Sequence, residues 1–93
     1  MLDEGRHEVR RQDTVVPLTA REFTLLATMA AHPGRVFTRD QLLERVWGDA
    51  YYDDHVVDVH VGNLRKKIED DPAHPRFVET VRGVGYRVAV HET

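Results

Sequence analysis

The chain contains no cysteine and no serine. The first absence excludes a disulfide framework and a thiolate metal site. The second removes a serine nucleophile. Also missing is any apolar run approaching the roughly 20 residues that a bilayer-spanning helix needs. The opening segment, Met1-Leu2-Asp3-Glu4-Gly5-Arg6, lacks the apolar core of a secretory signal. A cytoplasmic location without a membrane partner is therefore expected.

What is present fits one small domain. Ninety-three residues, 41% of them hydrophobic and 31% charged, suffice for a single core but not for two. Residues 1–93 are read as one domain. The formal net charge is −3. That weighs mildly against a nucleic-acid partner, but the placement of charge matters more than its sum. Acids gather at Asp3-Glu4, Asp53-Asp54 and Glu69-Asp70-Asp71, and bases at Arg65-Lys66-Lys67, Arg76, Arg82 and Arg87. An asymmetric surface is expected, with the acids turned away from any phosphate.

The element order follows from spacing. His7 to Arg11 and Thr14 to Leu18 are short β-like runs around the turn pair Gln12-Asp13, with Leu2-Asp3 as a possible third strand. Thr19 and Glu22 have capping-box spacing, and Phe23, Leu26, Ala27 and Ala30 follow as one apolar stripe. His32-Pro33-Gly34 ends that helix. Val36-Phe37 is a short extended piece. Thr38 and Gln41 repeat the cap, and Leu42, Leu43, Val46 and Trp47 give the second helix its buried face before Gly48 stops it. A loop from Asp49 to Asp53 carries Tyr51 and Tyr52. Asp54 is the expected cap of a third helix running to about Asp70, with Val57, Val61, Leu64 and Ile68 as its core stripe. Phe77 to Arg82 and Tyr86 to Val90 flank Gly83-Val84-Gly85 as a hairpin. The fold class is α+β: an N-terminal antiparallel sheet, three helices and a C-terminal β-hairpin wing, which is a winged helix-turn-helix.

With its stripe in the core, the third helix turns His55, Val59, Gly62 and Lys66 outward, with Asn63 on the edge. Such a face suits a major groove: Asn63 can pair with adenine, His55 can donate to guanine or phosphate, and Val59 can touch a thymine methyl. Gly62 costs about 1 kcal/mol in a helix interior. Close approach of the backbone to DNA and simple tolerance at a surface position both fit it. Arg65, Lys66 and Lys67 suit phosphate contacts or a solvated helix end where cations offset the dipole. His60 suits a phosphate or a packed site. Trp47 suits the core, with its indole N–H within reach of a DNA backbone. Arg82 beside two glycines suits minor-groove insertion. Thr80 lies on the same strand and Arg87 on the returning one.

An enzyme reads poorly. Gly83-Val84-Gly85 lacks the third glycine and following helix of a dinucleotide site, and His55 and His60 are not spaced as a helical metal pair. Asp40 and Glu44 have no third group with them. No catalytic residue, cofactor or metal site is expected. The alternative class is a protein-docking module.

The residues resemble a known family. Leu18-Thr19-Ala20-Arg21-Glu22-Phe23, His32-Pro33-Gly34-Arg35-Val36-Phe37-Thr38-Arg39, Gln41-Leu42-Leu43, Val46-Trp47-Gly48, Val57-Asp58-Val59-His60-Val61, Leu64-Arg65-Lys66-Lys67 and Thr80-Val81-Arg82-Gly83-Val84-Gly85-Tyr86-Arg87 look like the effector domain of OmpR/PhoB-type response regulators. The similarity spans roughly residues 6 to 90. It implies a bacterial two-component transcription factor that binds double-stranded DNA, often as head-to-tail protomers on direct repeats. It further implies a sensor histidine kinase acting through a receiver domain that these residues do not include. The loop at Gly48 to Asp53, with Tyr51 and Tyr52, corresponds to an RNA polymerase contact in some members. The resemblance assigns base and phosphate reading to the third helix and the minor groove to Arg82, supported by Thr80. His55-Val56 and Gly62-Asn63 depart from the common pattern at reading positions, so a different target sequence is expected.

Overall fold

The computed structural model describes residues 2–3, 8–11, 13–48 and 53–90. Tyr51 and Tyr52, the expected polymerase contacts, lie outside the described residues, as does Gln12. Strands β1 (Leu2–Asp3), β2 (Glu8–Arg11) and β3 (Thr14–Val16) form an antiparallel sheet in that order. Asp13 makes the β2–β3 turn at φ 64°, a left-handed conformation that aspartate tolerates better than most residues.

Helix α1 (Ala20–Ala30) begins at the expected capping box. The Glu22 amide donates to Thr19 Oγ1 at 3.1 Å, and the Thr19 amide donates to Glu22 Oε1 at 2.9 Å. Its buried face is rotated from the expected stripe. Leu25 and Met29 are fully buried beside Phe23 and Leu26, while Ala27 and Ala30 sit at the rim. The larger side chains exclude more water, so they take the centre.

Strand β4 (Phe37–Thr38) leads into α2 (Arg39–Leu42), again capped through Thr38 and Gln41. The helix then widens into a π-helical turn, Leu43–Trp47, before Gly48 leaves it at φ 73°. Leu42 and Leu43 are buried as expected, whereas Val46 and Trp47 in the widened turn are only half-buried.

Helix α3 (His55–Ile68) buries all four expected stripe residues, Val57, Val61, Leu64 and Ile68. Two details of its ends differ from expectation. Asp54 makes no capping bond with its side chain; Asp53 Oδ1 accepts from the His55 amide at 2.9 Å. At the other end, the helix stops at Ile68 because Glu69 turns extended. Glu69 is not part of a surface acidic cluster. It is buried and accepts from the amides of Arg76, Phe77 and Val78 at 2.8–3.1 Å. One carboxylate thereby satisfies the backbone at the start of the wing.

The wing, β5 (Val78–Val81) and β6 (Gly85–Val88), is more than a hairpin. β6 also pairs with β4, giving a three-stranded antiparallel sheet in the order β4-β6-β5. Phe37 faces Tyr86 in register and Thr38 faces Gly85. A Cβ at Gly85 would lie 1.9 Å from the Phe37 carbonyl oxygen, so glycine is what permits this pairing. One core unites α1, α2, α3 and the wing.

Candidate nucleic-acid interface

Helix α3 offers its outer face much as the periodicity requires. His55, Asn63 and Lys66 are exposed, Val59 is 58% exposed, and Gly62 is partly open with nothing within 4 Å of where its Cβ would stand. Successive residues turn by about 100°, which sets the order of side chains around the axis. Asn63 and His60 fall on the shoulder near Trp47. Asp58 and Arg65 fall on the opposite shoulder, facing the wing.

The wing is tied to that shoulder. Arg65 donates from Nε and Nη2 to the Val78 carbonyl at 3.1 and 2.8 Å, and from Nη2 to Thr80 Oγ1 at 2.7 Å. Beyond Thr80 the hairpin turns through Arg82, Gly83 and Val84, with Gly83 at φ 74°. Arg82 is exposed, and Val84 is 46% exposed beside it. The open face of α3 and the arginine-tipped wing are therefore joined through Arg65.

Three of the cations expected at the DNA interface also have intramolecular partners. Arg65 bridges to β5, as above. Lys67 Nζ lies 2.6 Å from Glu22 Oε1 and is drawn toward α1. Arg87 pairs across the wing with Glu79, Nε to Oε1 3.0 Å, because the two residues face each other in register. Lys66 and Arg82 have no bonded partner among the described residues.

Trp47 and His60 form a stack on the far shoulder. Their rings meet edge to face at 5.0 Å, and the Arg21 guanidinium lies 5.1 Å over the indole. His60 Nδ1 lies 2.9 Å from the Val56 carbonyl. Both aromatic groups thus support the helix, each half-buried.

Residues 12–88 match the family described as transcriptional regulatory protein, C terminal. The chain belongs to that family. It is 51% identical over 87 residues to the DNA-binding response regulator MtrA of Mycolicibacterium smegmatis, covering 92% of this chain and 38% of that protein. The response regulator DrrB of Thermotoga maritima, an OmpR/PhoB homologue, superposes with a TM-score of 0.90 at 37% identity, over 96% of this chain and 41% of that one. The DNA-binding domain of Klebsiella pneumoniae RstA, solved in complex with the RstA box, gives 0.88 at 35% identity, over 97% and 90%. The OmpR/PhoB-type resemblance and the winged-helix fold are both borne out.

Asp58, Arg39 and Tyr86 also join helix to wing, though none of the three was among the expected site residues. Asp58 Oδ1 accepts from Arg39 Nε at 2.8 Å and from the Tyr86 hydroxyl. Burial alone would raise the Asp58 carboxyl; the bonds from Tyr86 and Arg39, with the Arg39 charge, outweigh it and hold the carboxyl below its usual range. Burial, reinforced by Asp58, pushes the Tyr86 phenol up. The available signal was Asp58 standing seven residues before Arg65, which places both on one helical row. Asp53, Asp54 and His55 bring exposed ligand atoms within 4.8 Å of one another at the start of α3, where Asp53 serves as the cap.

Proposed function

We propose that this domain binds double-stranded DNA sequence-specifically and regulates transcription as the output domain of a two-component response regulator. Helix α3 enters the major groove and the wing lies on the adjacent minor groove. The observation that carries the reading is the continuity of the two: the open face of α3 adjoins, through Arg65, a wing whose tip presents Arg82. RstA, a relative solved on its own DNA box, supports the same reading.

In this reading His55, Val59, Gly62 and Asn63 meet base edges, and Lys66 meets phosphate. Arg82 enters the minor groove, where the negative potential is deepest. Thr80 and Arg65 support the wing, and Lys67, Arg87, Trp47 and His60 support the scaffold. The acids Asp53 and Asp54 suit the helix dipole at the start of α3.

The chain spans 38% of the length of its relative MtrA. The wider setting is accordingly part of the proposal: one winged-helix domain in residues 1–93, head-to-tail protomers on direct repeats, contact with RNA polymerase, and control by a histidine kinase through a receiver domain in the cytoplasm. No helix among the described residues is long and apolar enough to cross a membrane. The domain acts by binding and is not an enzyme.

Duplex affinity measured across a salt series tests the reading. Each phosphate neutralised should contribute a slope of about −0.9 in log affinity against log salt. A flat response would point instead to a protein-docking module.

A further inference from the structure

Tyr86 stands where four elements meet. Its side chain, on β6, is 5% exposed. The guanidinium of Arg39, at the start of α2, lies 5.5 Å from its ring centroid, and that of Arg65, on α3, lies 5.6 Å away. Two cations on one ring would repel each other if nothing compensated them. Asp58 takes the charge of Arg39 at 2.8 Å, and Arg65 is held by the Val78 carbonyl and the Thr80 hydroxyl of β5. The Tyr86 hydroxyl closes the arrangement by donating to Asp58.

The ring and the hydroxyl do different things. Burial of the ring belongs to the core and requires only an aromatic residue. The hydroxyl contributes no apolar area. What it adds is a directional bond from the wing strand to the rim of the helix, one residue after the Gly85 contact that presses β6 against Phe37. β6 is thus paired laterally with β4 and β5 and tied to α3 through the Tyr86–Asp58 bond. Asp58 is itself a carboxylate on the shoulder next to the face assigned to DNA. Unpaired, it would repel phosphate. Bonded to Arg39 and Tyr86, it serves as an anchor.

We infer that Asp58 and Tyr86 are positioning residues for DNA recognition: their bond, flanked by Arg39 and Arg65, fixes the wing against α3 so that both grooves are engaged together. This rests on the DNA-binding reading above.

The test is a double-substitution cycle on duplexes recovered from a random pool by the wild-type protein. Tyr86→Phe keeps the ring and both cation contacts and removes only the hydroxyl. It should weaken binding by about fivefold, the worth of one hydrogen bond, while a cooperative melting transition is retained. In that background Arg82→Ala should cost at least about threefold less affinity than it costs in the wild type, because a loosened wing no longer delivers the arginine. Asp58→Ala, which removes the acceptor of the Tyr86 hydroxyl, combined with Arg82→Ala provides the same cycle if Tyr86→Phe fails to fold. A purely structural role predicts independent effects, so a double variant whose loss equals the product of the two single losses overturns the inference. Failure of the wild-type protein to recover any duplex overturns the functional reading, and this inference with it.

Discussion

Lys67 places its ammonium 2.6 Å from Glu22, a carboxylate that is only 3% exposed and already caps helix α1. One side chain therefore ends the first helix's capping box and pins the last turn of α3. Lys67→Ala leaves Glu22 with its Thr19 amide bond but without its counter-charge. A loss of roughly 1–2 kcal/mol is expected, at the modest end for an orphaned acceptor because the lysine is itself half in solvent. Chemical denaturation checks this. Lys66→Ala should do the reverse, leaving stability unchanged and reducing the magnitude of the salt slope by about 0.9.

Two glycines should respond in opposite directions. Gly85→Ala forces a Cβ into the Phe37 carbonyl and should unseat β6 from β4, with a large fall in melting temperature. Gly62→Ala meets nothing and should raise stability by about 1 kcal/mol through helix propensity. If the α3 backbone lies close to DNA, the same methyl lowers affinity. Unchanged affinity would make Gly62 an ordinary surface position.

The reading residues are separable. Asn63→Ala should lose about 1–3 kcal/mol of discrimination at one base pair if the amide pairs with adenine. Arg82→Ala should weaken binding and flatten any preference for A·T pairs in the flanking minor groove. Binding to a panel of single-base variants of the site distinguishes the two effects, and an unaltered preference in Asn63→Ala removes that residue from the reading set.

Acid should loosen the joints between elements. The carboxyls of Asp58 and Glu22 are held below their usual range in the folded state, against burial, by Tyr86 and Arg39 in one case and by Lys67 and Thr19 in the other. A depressed folded pKa contributes stability that is complete above the unfolded value, near 4 for a carboxylate, and is lost as pH falls through the folded value. Stability should therefore decline on acidification below about pH 4. The decline should be shallower in Asp58→Asn and in Glu22→Gln, which denaturation midpoints across pH would reveal.

What could be read from the sequence was local. The two capping boxes, the four-residue stripe of α3 and the glycine-bounded wing all depend on neighbours within one turn or one hairpin. The pairing of Phe37 with Tyr86 and the reach of Lys67 to Glu22 are between residues far apart in the chain, and no periodicity encodes them. The same limit applied at the site. Periodicity identified the open face of α3, because solvent exposure has a helical period. It set Arg65 and Lys67 at phosphate or at a solvated helix end, because partners supplied by other elements are invisible to it. Glu69 was read as one of three consecutive surface acids, yet three backbone amides of the wing's approach draw it inward.

The most direct measurement is selection of bound duplexes from a random pool by the wild-type domain. The account predicts enrichment of a defined motif, with base preferences in a major-groove segment and an A·T-rich flank beneath the wing. Recovery of sequences indistinguishable from the starting pool would contradict it.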